Sequence, residues 1–190
     1  MTFNTPILII AWKRPDKVSR ILKVLKDIKP QNIYVACDGA KKDNLLEFKK
    51  VQQTRNIIEK GVNWKYRKFR KLFNKENLGC KIACTNAINW FFENVNEGII
   101  IEDDCLPHYD FFKFSAIMLE KYREDKRVWC VSGSNHQAER VIGGASYYFS
   151  YYPLVWGWAT WKRCWDEYDV EMKSWPNFKK NNLLNDFFDS

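Results

Sequence analysis

Short apolar runs alternate with segments of helical periodicity along most of the chain. Pro6–Trp12, Ile33–Cys37 and Ile99–Ile101 have the length and β-branched content of buried strands. Between the first two runs, the segment from Pro15 to Ile28 carries apolar residues at helical spacing, and proline is favoured at a helix start. A strand, a helix and a strand in such close succession predict a βαβ unit with a parallel sheet.

The rest of the pattern continues this alternation. It predicts, in order, a helix over Asn44–Lys60, a strand within Val62–Phe73, a turn at Asn77–Gly79 followed by a helix ending near Asn94, a helix over Phe111–Tyr122, strands at Val128–Val131 and Tyr147–Tyr152, and a helix ending near Tyr168. The order predicts an α/β fold with three layers, in which helices cover both faces of a mainly parallel sheet. At 190 residues, we expect a single domain over residues 1–190.

Three acids directly follow the apolar run Ile99–Ile101. They are Glu102, Asp103 and Asp104. In an open α/β sheet, ligands bind outside the carboxyl ends of the strands, so these acids lie where a site is expected. Carboxylate oxygens suit Mg²⁺ or Mn²⁺, which proteins commonly share with substrate phosphates. Taken alone, the triplet is equally typical of a solvated acidic turn.

Charge and cysteine content narrow the function classes. The net charge of +8 suits nucleic acid, an anionic membrane face or phosphorylated substrates, although lysines also cover solvated helix faces. No nucleic-acid-binding motif accompanies the charge, so we do not predict a nucleic-acid partner. The six cysteines include no CxxC pair, which disfavours a zinc site. If the protein is cytoplasmic, as argued next, we expect these cysteines to be reduced thiols.

The opening residues predict where the protein resides. Met1–Ile10 lacks the basic region of a signal peptide, and no apolar run approaches the ~20 residues that cross a bilayer. We therefore expect a cytoplasmic protein, with contact at the inner, anionic face of the membrane as an option that the positive charge allows.

Five stretches, in this order and spacing, carry a family resemblance. They are Arg14-Pro15 after the first strand, Asp38-Gly39 after the second, Asn77-Leu78-Gly79-Cys80 before a helix, Glu102-Asp103-Asp104 after the central strand, and Trp156–Trp161 further on. With them the chain resembles the GT-A nucleotide-sugar glycosyltransferases, and within these the bacterial, family 2-like relatives of N-acetylglucosaminyltransferase I. The resemblance covers nearly the whole chain.

The resemblance implies a nucleotide-diphospho-sugar transferase fold and assigns roles to single residues. It makes Asp104 the direct ligand of Mn²⁺ or Mg²⁺. It places the donor nucleotide sugar beside Trp12, Arg14, Asp38, Asn77, Gly79, Glu102 and Asp103, and it assigns Trp156, Gly157 and Trp158 to the acceptor side. Asp38 could equally be a turn residue, and clustered tryptophans equally fill a core, which is what we expect of Trp161.

The function implied is metal-assisted transfer of a sugar, with inversion, from a nucleotide-diphosphate sugar to a saccharide or lipid-linked acceptor, in surface polysaccharide or glycan assembly. In this family the general base lies beyond the tryptophan segment. Residues 185–190 end the chain within a predicted amphipathic helix. We therefore expect the C-terminal part of the catalytic domain to be missing and the base to lie beyond Ser190.

Two other classes stay open. A sugar nucleotidyltransferase would share the fold, but it should carry a glycine-rich phosphate loop after the first strand, and Ala11–Pro15 contains no glycine. A non-catalytic nucleotide-sugar-binding module would keep the pocket without the chemistry, and the expected loss of the C-terminal part favours it.

Overall fold

The computed structural model describes residues 2–137 and 144–183. The predicted C-terminal amphipathic helix over 185–190 lies outside the described residues. The elements, in chain order, are β1 (Ile7–Ala11), α1 (Pro15–Ile28), β2 (Asn32–Cys37), α2 (Leu45–Gly61), β3 (Lys68–Phe73), α3 (Gly79–Phe92), β4 (Glu97–Glu102), α4 (Tyr109–Lys121), β5 (Cys130–Ser132), β6 (Trp158–Trp161), α5 (Lys162–Trp165) and α6 (Trp175–Lys180).

Six strands within the described ranges form one sheet in the order β3-β2-β1-β4-β6-β5. β1 pairs in parallel with β2 and with β4, and β2 pairs in parallel with β3. β6 lies between β4 and β5 and pairs antiparallel with both, so it runs opposite to the other five strands of the described ranges. The predicted α/β fold with a mainly parallel central sheet is confirmed.

The strand order explains why helices cover both faces. The chain moves from β1 outward to β2 and β3, then returns with β4 to the other side of β1. Because parallel crossovers are right-handed, reversing the direction of travel moves the connecting helix to the opposite face. Accordingly α1 and α2 pack on one face and α3 on the other, whereas α4, which connects β4 to β5, packs on the face of α1 and does not follow this rule.

Alternation along the central strands supplies both halves of the core. Ile7 and Ile9 of β1 point to the face covered by α1, whereas Leu8 points to the face covered by α3. All three side chains are fully buried. A strand buried on both faces reads as a continuous apolar run, which is why the sequence identified β1 and β4 directly.

The predicted elements after β5 need correction. Tyr147–Tyr152, predicted as a strand, forms bends and coil; its side chains are exposed except that of Tyr147, which is partly buried. A strand that the sequence did not predict, β6, occupies Trp158–Trp161, and the helix predicted to end near Tyr168 is the short α5, which ends at Trp165. β6 exists because Ala159 and Trp161 bury on one face between β4 and β5, a pairing that local pattern does not show.

Trp161 lies in the core as expected. It is among the largest fully buried side chains, and its indole Nε1 donates a hydrogen bond to the carbonyl of Leu119, 3.2 Å away. Across the described ranges, none of the helices is both long and apolar enough to cross a membrane.

Gly98 in β4 offers a test of the packing between the sheet and α3. A Cβ atom there would overlap the ring of Phe91 and would lie 2.9 Å from the carbonyl oxygen of Pro6. We expect Gly98→Ala to lower the free energy of unfolding by roughly 1–3 kcal/mol, the usual range for overpacking a core. Urea unfolding monitored by tryptophan fluorescence measures this. Gly144→Ala, where a new Cβ meets no atom of the described residues within 4 Å, is the matched control; equal effects of the two changes would contradict the packing account.

Candidate active site

The loops after β1 and β4 meet at the topological switch point of the sheet. β1 and β4 are neighbours in the sheet, although β2, β3 and three helices separate them in the chain. The loops that leave their carboxyl ends border a crevice at the edge of the sheet where ligands bind in open α/β folds. Trp12–Arg14 and Glu102–Asp104 flank this crevice from its two sides.

One guanidinium ties the two loops together. Arg14 Nη1 lies 2.7 Å from Asp103 Oδ1 and 2.7 Å from Asp104 Oδ2, so a single nitrogen bridges both carboxylates. The backbone N–H of Trp12 donates a further hydrogen bond to Asp103 Oδ2 at 3.0 Å. Asp103 is buried, whereas the side chains of Arg14 and Asp104 are each about half exposed. Both could therefore exchange this contact for one to a ligand.

The electrostatics of the site favour an additional cation. Burial raises the pKa of Asp103, an effect that the Trp12 N–H and Arg14 oppose. Burial, followed by the charges of Asp104 and Asp103, also raises the pKa of Glu102. Three carboxylates thus share one guanidinium, and the excess negative charge at the crevice would be relieved by a bound cation.

Asp38, which follows β2, braces a neighbouring loop. Its two carboxylate oxygens accept hydrogen bonds from the side-chain amides of Asn74 (3.0 Å) and Asn77 (2.8 Å). Both oxygens also accept from the backbone N–H of Leu78, each at 3.1 Å. This buried carboxylate therefore holds the turn that precedes α3. Its predicted role beside the donor nucleotide stays a prediction, as does that of Asn77.

Gly79 begins α3 directly after this brace. Its φ of +76° is a conformation that residues with a side chain rarely adopt, which is a physical reason for glycine at this position. No described atom lies within 4 Å of where its Cβ would be, so the constraint is the backbone angle rather than space.

Arg55 contributes to the same edge and was missed by the sequence reasoning. From α2, its Nη2 donates to the carbonyls of Cys37, Asp38 and Asn74, at 3.4, 3.3 and 2.6 Å. These carbonyls lie at the ends of β2 and β3, so Arg55 fixes the spacing of the two strands at this edge. Its sequence position in the middle of a helix gives no signal of this role.

A large open cleft of about 2160 Å³ begins at the crevice. Glu102 and Asp104 line it, and so does the predicted acceptor-side segment Trp156–Trp158. α3 contributes its first two turns, with Cys80, Lys81, Cys84 and Thr85. The structure thus brings the acids and the tryptophan segment to one cleft, with Trp12, Arg14 and Asp103 joined to its acidic end. The acceptor role of the tryptophans is untested.

The carboxylates at this edge are of the chemical type that binds Mg²⁺. Within residues 2–137 and 144–183, no three side chains of His, Cys, Asp or Glu converge on one ion position. Mg²⁺, however, commonly takes only one or two carboxylates and completes its shell with phosphates and water. Asp104 and Glu102 both face the cleft and could supply these two carboxylates. His136, whose ring lies 5.8 Å from that of Trp156, is not needed for such a site.

Comparison with known proteins informs the fold. No protein-family model matches the chain. Among solved structures, the chain is similar to a cytidylyltransferase from Leptospira borgpetersenii serovar Hardjo-bovis, with a TM-score of 0.51 and 10% sequence identity over 96% of this chain and 73% of that one. At this identity the likeness shows the fold alone.

This finding corrects the family resemblance drawn from the sequence. The identification as a GT-A glycosyltransferase is wrong, because the structural likeness points to a nucleotidyltransferase fold. The predicted transfer of a sugar to a saccharide or lipid-linked acceptor is wrong for the same reason. The motifs that carried the resemblance follow the strands of a doubly wound sheet, and such a sheet collects polar residues at that edge whichever nucleotide reaction it serves.

The brace around Asp38 can be tested by a single isosteric change. Asp38→Asn would turn an amide NH₂ toward groups that are all donors, leaving buried polar atoms unsatisfied. We expect the free energy of unfolding to fall by about 1–3 kcal/mol. Chemical denaturation measures this, with Asp27→Asn, at an exposed position of α1, as the control. A silent Asp38→Asn would contradict the brace.

The Arg14 bridge predicts a pH-dependent loss of stability. In the folded protein the pKa values of Asp103 and Glu102 are raised. The free energy of unfolding therefore falls as the pH rises from the ordinary pKa of these carboxyls through the raised pKa, because the folded protein holds their protons more tightly than the unfolded chain does. Arg14→Met removes the cation that lowers both pKa values, so the variant should lose roughly 1–2 kcal/mol near pH 7, a value reduced for the exposure of Arg14. The deficit should shrink on acidification.

Thermal unfolding of wild type and Arg14→Met between pH 4.5 and 8 checks this prediction. Arg20→Met, at an exposed position of α1, is the matched control and should show a pH-independent difference. A deficit for Arg14→Met that grows as the pH is lowered would contradict the assigned role of Arg14.

Proposed function

We propose that this protein is a nucleotidyltransferase, which transfers a nucleoside monophosphate from a nucleoside triphosphate to a phosphate-bearing acceptor. The observation that carries the proposal is the joining of the Arg14 guanidinium and the Asp103–Asp104 carboxylates across the switch point of the sheet. The likeness of the fold to a cytidylyltransferase supports this reaction class. Contact with an anionic membrane face stays a prediction that rests on the net charge of +8.

The reaction needs positive charge beside the triphosphate. An acceptor phosphate oxygen attacks the α-phosphorus, the bond to the bridging oxygen breaks, and pyrophosphate leaves. Arg14 is half exposed and can turn from Asp104 to a phosphate oxygen without leaving Asp103 unpaired, because the Trp12 N–H also holds Asp103. Asp103 thus acts as a positioning residue for Arg14.

Asp104 and Glu102 are the residues that would hold a Mg²⁺ or Mn²⁺ ion at this edge. The ion would neutralise charge on the phosphates. Of the two, Asp104 is the better ligand, since its side chain is half exposed, whereas the Glu102 side chain is more deeply placed at the end of β4.

The absence of a glycine in Ala11–Pro15 argues against a phosphate loop that binds through backbone N–H groups. In this structure the Trp12 N–H donates to Asp103 instead. The loop offers two cationic side chains, of which Lys13 pairs with the buried Glu47 of α2 at 2.5 Å and lies over the Trp12 ring. Binding of the triphosphate would therefore rely on side-chain charge.

A non-catalytic nucleotide-binding module is the second candidate. Lys13 and Arg14 are both held in ion pairs. If these pairs persist when a nucleotide binds, the site would recognise the ligand without assembling a reactive geometry.

A pyrophosphorolysis assay separates the two candidates for acceptors that are sugar phosphates. The protein is incubated with labelled pyrophosphate, Mg²⁺ and, in parallel, CDP-, UDP- or GDP-linked sugars, and a nucleotidyltransferase returns label as nucleoside triphosphate by the reverse reaction. A thermal-shift screen with CTP, UTP, GTP and ATP runs alongside, since a ligand at a hundredfold excess over its Kd adds about 2.7 kcal/mol of stability. Binding without label transfer favours the module, and neither signal with any nucleotide contradicts both.

Asp104→Asn tests the cation ligand within this site. The change removes one carboxylate that repels Glu102 and Asp103, and it also removes a half-exposed ion pair to Arg14, so the unfolding free energy should change little. The Mg²⁺-dependent part of nucleoside triphosphate binding should be lost, because an amide is a poor substitute for an anionic ligand.

Calorimetric titration of the triphosphate, with and without Mg²⁺, measures this effect. The control is Asp27→Asn, which should bind as wild type does, and Glu102→Gln should weaken the Mg²⁺ dependence less than Asp104→Asn does. Unchanged Mg²⁺-dependent binding in Asp104→Asn would remove Asp104 from the site.

A further inference from the structure

The first two turns of α3 place two thiols in contact. Cys80 Sγ and Cys84 Sγ lie 3.9 Å apart, one helical turn from each other, and both are free. Both thiols line the cleft, as do Lys81 and Glu102. Cys80 is exposed and Cys84 is partly buried. Neither thiol takes part in the proposed nucleotidyl transfer.

We propose that Cys80 and Cys84 form an oxidation site, a dithiol that peroxide converts to an intramolecular disulfide. In the first step, hydrogen peroxide oxidises the Cys80 thiol to sulfenic acid and is itself reduced to water. In the second step, the Cys84 sulfur attacks the Cys80 sulfur, the S–S bond forms, and a second water leaves. The assignment stands on the contact between the two sulfurs and does not depend on the proposed function.

Exposure sets the order of the two thiols. Peroxide reaches Cys80, which is exposed on the first turn of the helix. Burial, together with the neighbouring Cys80, raises the pKa of Cys84 to about 12, so this thiol stays protonated at neutral pH and reacts poorly with peroxide by itself. Cys84 is therefore the resolving thiol, which acts only once Cys80 has been oxidised beside it.

Closing the disulfide requires the first turn of α3 to change shape. Residues four apart on a helix have Cβ atoms about 5–6 Å apart, whereas a disulfide needs about 3.5–4.5 Å. This turn begins at Gly79, and no described atom lies within 4 Å of where a Cβ of Gly79 would be. Directly before Gly79, the backbone N–H of Leu78 donates hydrogen bonds to Asp38. Oxidation would thus reshape the wall of the cleft at α3, while the Asp38 brace fixes the preceding turn.

Peptide mapping of the full chain tests the proposal. The folded protein is treated with hydrogen peroxide, quenched, alkylated and digested with trypsin without reduction. We expect a cross-linked pair joining peptide 76–81, which holds Cys80, to peptide 82–113, which holds Cys84. Two of the six thiols should be lost. The protein should remain monomeric on a non-reducing gel, and dithiothreitol should restore both thiols.

Two variants make the result decisive. Peptide 82–113 also contains Cys105, so the cross-link must persist in Cys105→Ser. In Cys84→Ser the cross-link should vanish, and a sulfenic acid on Cys80 should be trapped by dimedone. The proposal is overturned if peptide 76–81 stays unlinked while other cysteines oxidise, if the link joins two chains, or if Cys105→Ser abolishes it. Should Cys84→Ser fail to fold, the wild-type and Cys105→Ser maps decide by themselves.

Discussion

The bridge from Arg14 to Asp103 and Asp104 is the interaction on which the functional edge of this molecule depends. The order of the strands brings the ends of β1 and β4 side by side, and with them a cluster of carboxylates that would repel one another. Arg14 is the cation that compensates this repulsion from the neighbouring loop, and it also fixes how far apart the two loops lie. A bound cation and a phosphate group would relieve the charge imbalance that destabilises this edge.

A second set of contacts keeps this edge rigid on its other side. Asp38 gathers the donors of the loop before α3, and Arg55 holds the carbonyls at the ends of β2 and β3. Because α3 begins directly after the turn held by Asp38, the position of its first turns is tied to the sheet rather than to the helix alone. The wall of the cleft that carries Cys80 is therefore held in place by the Asp38 brace, next to the strand ends that Arg55 spaces.

The sequence predicted the parts of the fold that depend on local pattern. The strands β1, β2 and β4 are buried on both faces and read as apolar runs, and α1 shows a clean helical stripe. The acids after β4 were also placed correctly at the carboxyl edge, because their position follows from the strand alone. β6 was missed, since an antiparallel strand between two parallel ones is decided by its pairing with β4 and β5, which lie far from it in the chain.

The contacts within the site were beyond sequence reasoning for the same reason. Arg14 and Asp103 are separated by 89 residues, and nothing in the sequence around either residue indicates that the two side chains are in contact. The error in the family resemblance has a related cause: polar motifs after successive strands reflect the shared edge of the sheet, and they do not specify which bond of the nucleotide is broken. The nucleotidyltransferase alternative was set aside over a missing glycine, whereas the loop in question presents charged side chains instead.

A crystal structure of the protein with a non-hydrolysable CTP analogue and Mn²⁺, the latter located by its anomalous signal, would show whether this edge binds the nucleotide. We expect Mn²⁺ within coordination distance of Asp104, and triphosphate oxygens at the Arg14 guanidinium, between the ends of β1 and β4. A nucleotide bound elsewhere, with Arg14 still bridging Asp103 and Asp104 and no metal at that edge, would rule out the proposed site.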